Sequence, residues 1–216
     1  MSLSILNPPA NRDVFINCPF DAEYEELFQA ICFTLAACGF NPRCALEELD
    51  SGETRIEKIR RIVAHSAFGI HDLSRTGLSG LSQLPRFNMP FELGLFLGCK
   101  FYGGSKHKKK RTLILDTEPY RYQQFLSDIA GQDPHAHHGD PAQAIKAVRD
   151  WLAGSAAEAL PGPIYLHQRF TGFRHDLPLI AEHLGAVHTH LSFQDLIHIL
   201  RRWLHWQRQS EPSPVP

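Results

Sequence analysis

Residues 13–39 read DVFINCPFDAEYEELFQAICFTLAACG, and this stretch decides the fold. Val14, Phe15 and Ile16 are consecutive apolar residues, as in a strand covered on both faces rather than one. Cys18, Pro19 and Phe20 turn the chain, and Asp21 is placed to cap a helix. Glu23, Glu25 and Glu26 suit the positive end of that helix. Tyr24, Leu27, Phe28, Ile31, Leu35 and Cys38 recur at helical spacing until Gly39 stops it.

The same alternation continues outward. Residues 40–46 form a second strand candidate, and residues 53–65 a helix with Ile56, Ile59, Ile62 and Val63 on one side and Arg55, Lys58 and Arg61 outside. Residues 67–73 and 111–116 read as the third and fourth strands, separated by a Ser/Gly-rich connection over 74–87 and an apolar helix over 88–100. A helix is expected over 119–129, burying Tyr122, Phe125, Leu126 and Ile129. Another starts at Asp140-Pro141, with a weak fifth strand between the two, at 131–139. Strands alternating with helices mean a parallel sheet covered on both faces, here of order 2-1-3-4-5.

Residues 1–152 account for this α/β domain. Residues 153–163 read as a linker, 164–209 as a C-terminal helical extension opened by the Ser192-to-Asp195 cap, and 210–216 as a disordered tail. Leu196, Ile197, Leu200, Trp203 and Leu204 form an apolar stripe that suits either a partner or the chain's own domain.

Composition removes several function classes. Lys plus Arg at 22 against Asp plus Glu at 23 leaves no basic surplus for duplex nucleic acid. No stretch approaches the roughly 20 apolar residues of a membrane span, and the first residues lack a secretory pattern, so a cytoplasmic chain is expected. Five cysteines, an odd number and mostly inside apolar runs, read as reduced thiols. The Walker, G-x-S-x-G and G-x-G-x-x-G motifs are absent.

An open parallel sheet binds ligands beyond the strand ends where the order reverses, between strands one and three. That selects Asn17 to Asp21 and His71 to Arg75. Glu92 is the charged residue that stands out: it interrupts the apolar run 87–98 at the head of the helix after strand three. A buried carboxylate needs partners or a cavity, so Glu92 is either satisfied by amides of its own helix or faces the crevice. Asp72 converges on the same crevice, and a carboxylate pair suits glycosidic chemistry; alternatively, Asp72 caps the loop after its strand. Asn88 reads most simply as a helix N-cap, and Gly94 and Gly98 as points of close approach to the sheet. Cys18 has no evident base. The cluster His135, His137, His138 and Asp140 lacks companion metal ligands, so a solvated loop is the plainer reading, as it is for the basic run 106–111.

The DVFIN strand followed by an acidic helix resembles the opening of bacterial TIR domains. The Pro19-Phe20 turn, Asp72 and residues 88–94 resemble nucleoside 2-deoxyribosyltransferases. Both families share a flavodoxin-like fold, and the resemblance covers roughly the first 150 residues. It implies cleavage of an N-glycosidic bond, with Glu92 and Asp72 as catalytic residues and Asn17, Pro19, Phe20, His71, Ser74 and Asn88 at the substrate. The TIR-like branch implies NAD+ hydrolysis to nicotinamide and ADP-ribose, as in antiphage defence; NAD+ is then substrate, not redox cofactor, and no metal is required. The transferase-like branch implies a nucleoside or nucleotide, but Phe15 stands where transferases often carry an orienting tyrosine. Self-association is also implied, through homo-oligomers or a partner at the C-terminal helices. A nucleotide-sensing or assembly module without chemistry is the reading from a different class.

Overall fold

The computed structural model describes residues 12–47, 50–76, 86–156 and 158–210. Five parallel strands lie in the order β2-β1-β3-β4-β5: β1 (Asp13–Asn17), β2 (Asn41–Arg43), β3 (Phe68–Asp72), β4 (Arg111–Asp116) and β5 (His135–Ala136). The fold is flavodoxin-like, with the order reversal between β1 and β3 as expected. Most of the connection read at 74–87, and the terminal tail, lie outside the described residues.

Alternation along β1 assigns the two faces. Val14 and Ile16 join Ile70, Leu113 and Leu115 under α1 (Glu25–Ala37) and α4 (Pro141–Ala153). Phe15 points the other way, toward α2 (Arg55–His65) and α3 (Asn88–Tyr102), where it meets Ile59, Ile62, Val63 and Phe96. An apolar run without alternation is what such double burial requires.

The C-terminal helices α5 (Pro163–His183) and α6 (Phe193–Ser210) add a further layer over α1. Phe33 of α1 is fully buried, with ring centroids 5.6 Å from Phe170, 5.8 Å from Phe173 and 6.0 Å from Trp203. The stripe Leu196, Ile197, Leu200, Trp203 and Leu204 is buried in this core, so it docks on its own chain. Trp203 Nε1 donates to Asp176 Oδ2 at 2.9 Å, which ties α6 to α5.

Several local expectations are corrected. Helix α1 starts at Glu25 rather than at Asp21: Asp21 accepts the Tyr24 N–H in a turn, with both its Oδ1 and its carbonyl. Residues 119–129 form two 3-10 turns, Arg121–Gln124 and Ser127–Ile129, not an α-helix. Tyr120 adopts a left-handed φ of 59°, and Arg121 is held by Asp116 Oδ1 and Leu73 O, which anchors the segment to the strand ends before a helix can propagate. Lys58 is buried, not outside.

The close-approach glycine is Gly69 in β3. A Cβ there would lie 2.8 Å from the Phe96 ring, whereas at Gly94 and Gly98 nothing lies within 4 Å.

Candidate active site

The site grows from the ends of β1 and β3. Their parallel register sets Asn17 beside His71, and Asn17 Nδ2 lies 3.1 Å from His71 Nδ1 while donating to Met89 O at 2.8 Å. His71 is fully enclosed between the Phe15 and Phe96 rings, and burial lowers its pKa to about 3. It is therefore neutral, with Nδ1 accepting from Asn17 and the proton on Nε2. His71 thereby orients Asn17, whose amide joins β1 to the first turn of α3.

Asp72 is also fully buried. Tyr24 donates its hydroxyl to Asp72 Oδ2 at 2.6 Å, and the Ser74 N–H donates to Oδ1 at 2.8 Å. His137 Nε2 stands 3.0 Å from Oδ2, close enough to interact but not aligned for a straight hydrogen bond. Gly139 N donates to His137 Nδ1, which leaves the proton on Nε2, against Asp72. Burial pushes the Asp72 carboxyl up, but His137, Ser74 and Tyr24 together hold it below its ordinary value. An ionised carboxylate with both oxygens engaged has little left for a substrate. Through these contacts Asp72 ties the end of β3 to the start of α1 and to the loop before α4.

Glu92 differs. It lies in the second turn of α3, only 4% exposed, and among the described residues its one close ionic partner is Arg55, whose Nη2 is 3.6 Å from Oε1. The Arg55 side chain is itself 55% exposed. Burial raises the Glu92 pKa and Arg55 opposes the rise without cancelling it. Burial above all, with smaller contributions from Asp72, Cys44, Cys32 and Glu92, drives the Cys18 thiol well above the ordinary range, so it is inert.

Other expected residues are placed differently. Pro19 and Phe20 line a cavity of about 280 Å³ between the start of α1 and residues 188–196. The Phe20 ring meets Phe28 edge-on at 5.4 Å. Asn88 is exposed as the first residue of α3, not its N-cap; Phe87 holds that position. Ser74 contributes its backbone N–H to Asp72, and its Oγ is buried without a partner. Asp21 binds Arg86 at 2.9 Å and lies 3.6 Å from Arg75, so both ends of the long connection meet the β1–α1 loop.

Reading the sequence missed Tyr24, His137 and Arg55. A tyrosine on an apolar stripe carries a hydroxyl that needs a buried partner, and that was the available signal for Tyr24. His137 is buried, unlike its exposed neighbours His135 and His138, so the solvated-loop reading fails at this one position. Among the described residues, no group of three His, Cys, Asp or Glu side chains is arranged to hold a metal. No described helix is long and apolar enough to cross a membrane.

No protein family, curated protein or solved structure matches this chain. The topology alone is consistent with a broad nucleotide-binding superfamily.

Proposed function

We propose that this chain is an N-glycosidase acting on a nucleotide, and specifically a NAD+ hydrolase of TIR-like kind. The observation that carries the reading is Glu92, a nearly buried carboxylate matched, among the described residues, by a half-exposed arginine 3.6 Å away. Proteins keep such poorly compensated carboxylates where chemistry uses them.

In this reaction the C1′–N bond to nicotinamide breaks and a water oxygen bonds to C1′, releasing a proton. Glu92 stabilises or captures the ribosyl cation as it develops. Nicotinamide departs from a pyridinium, so it leaves neutral without being protonated. That requirement favours NAD+ over neutral nucleosides, because Asp72 is held ionised and engaged and is poorly placed to act as a general acid. Asn17 presents its Oδ1 to a ribose hydroxyl, its amide hydrogens being directed at Met89 O and His71. Tyr24, His137 and Asp72 are positioning residues.

The test is incubation of the purified chain, at low and high concentration, with NAD+ and separately with nucleosides and nucleotides, following released base by chromatography. Nicotinamide release that Glu92→Gln abolishes is the expected result. Release only from nucleosides or nucleotides moves the protein to the transferase-like branch. Ligand binding without any release makes it a sensing module, and full activity of a folded Glu92→Gln protein overturns the assignment of Glu92.

A further inference from the structure

Apart from Asn88, Glu92 and Lys100, helix α3 is apolar, which is expected of a helix covered on most sides. Its inner face packs on the sheet through Met89, Leu93, Phe96 and Leu97. At 100° per residue, Phe87, Phe91, Gly94, Gly98, Phe101 and Tyr102 share one outer arc of about 100°. None of the six is charged. Phe87 is 68% exposed, Phe91 57%, Phe101 60% and Tyr102 93%. Gly94 and Gly98 have nothing within 4 Å of where a Cβ would stand, and they border an open groove between α2 and α3. Helix-interior glycines are destabilising, and no packing among the described residues accounts for these two.

We propose that this face binds the same face of a second copy, with the two α3 helices antiparallel across a two-fold axis. The spacing is self-complementary. With the axis between Gly94 and Leu95, Phe91 meets the partner's Gly98, Gly98 receives the partner's Phe91, and Phe87 meets the partner's Tyr102. Phe87, Phe91 and Tyr102 each face a position with no side chain or with another ring, Phe101 faces the partner's Asn88, and the α2 wall of the groove brings Glu57, Arg60 and Arg61 to the edge of the contact. Covering the exposed parts of these four rings on both copies removes about 1,100 Å² from water, taking about 200 Å² per aromatic side chain. That passes the roughly 1,000 Å² expected of a specific interface. A two-fold contact of one patch with itself closes at the dimer. Glu92 follows Phe91 on the same helix, so the dimer axis runs beside the candidate site. The inference rests on the α3 surface alone and stands whether or not the chain cleaves NAD+.

The experiment is sedimentation velocity or light scattering on the full chain over a concentration series, with circular dichroism as the folding control. Wild type is expected to dimerise. Phe91→Glu should weaken the dimer on the order of 100-fold or more, since a two-fold interface meets the change twice. Gly98→Phe should weaken it by collision with the partner's Phe91. The double exchange F91G/G98F should restore it, because each knob again faces a hole. A wild-type chain that stays monomeric throughout, or a Phe91→Glu variant that still dimerises, overturns the proposal. Failure of the double exchange to rescue overturns the antiparallel register. None of these outcomes depends on turnover, so they separate from the glycosidase test.

Discussion

Replacing Glu92 by glutamine tests in one variant whether this carboxylate serves stability or chemistry. The amide keeps the shape and removes the charge. A charge–charge attraction at 3.6 Å, with one partner 55% exposed to water, contributes about 0–1 kcal/mol, as exposed ion pairs do. Against it stands the withdrawal of a carboxylate of 4% exposure from water, a cost of several kcal/mol for a fully buried ion. The raised Glu92 pKa says that desolvation wins. Glu92→Gln should therefore be more stable than wild type at neutral pH by on the order of 1 kcal/mol, a rise in Tm of roughly 2–4 °C for a chain of this size. Turnover should meanwhile fall by at least about 100-fold. The sign with pH follows: a carboxyl whose folded pKa is raised destabilises the native state above that pKa. The gap between variant and wild type should close as pH falls from there to below the ordinary carboxylate value. Thermal and denaturant unfolding across pH measure this directly. A loss of 1 kcal/mol or more at neutral pH would mean that Arg55–Glu92 is a structural bridge between α2 and α3, and the argument for function would fail.

Tyr24→Phe should cost about 1.5–3 kcal/mol at pH 7, because it removes a buried 2.6 Å hydrogen bond to an ionised carboxylate. Asp72 has a lowered folded pKa, so the stability it contributes is present above its unfolded value and lost as pH falls through the folded one; denaturation at acid pH should show the penalty shrinking. Gly69→Ala should destabilise by roughly 1–3 kcal/mol although alanine is the better strand residue, since its methyl would meet Phe96 at 2.8 Å; a neutral effect in urea unfolding would contradict that packing. Trp203→Ala should cost about 3–5 kcal/mol in one cooperative transition, and truncation after Gly154 should leave an insoluble remnant with Phe33 uncovered. A soluble, folded truncation product would show instead that α5 and α6 are dispensable to the core.

Local chemistry was enough for much of this architecture. Val14-Phe15-Ile16 allows one environment only, a strand covered on both faces, and the acidic, apolar-striped segment after it allows only a helix. Repetition of that pair leads to the 2-1-3-4-5 sheet and hence to the switch point between β1 and β3, where Asn17 and Asp72 end their strands. The segment 119–129 went astray for the same local reason, because its apolar spacing is helical while its conformation is set by Arg121 reaching Asp116 and Leu73.

What the sequence determined by itself was the strand and helix alternation, the switch point and the prominence of Glu92, since each follows from periodicity or from one charge among apolar neighbours. Only the tertiary structure decided that Asp72 is held by Tyr24, Ser74 and His137 while Glu92 meets Arg55. Tyr24 and His137 lie 48 and 65 positions from Asp72 in sequence and meet it only when α1 and the loop before α4 close over β3. The two carboxylates are alike in sequence, and they differ in the donors that three-dimensional packing brings to one and withholds from the other.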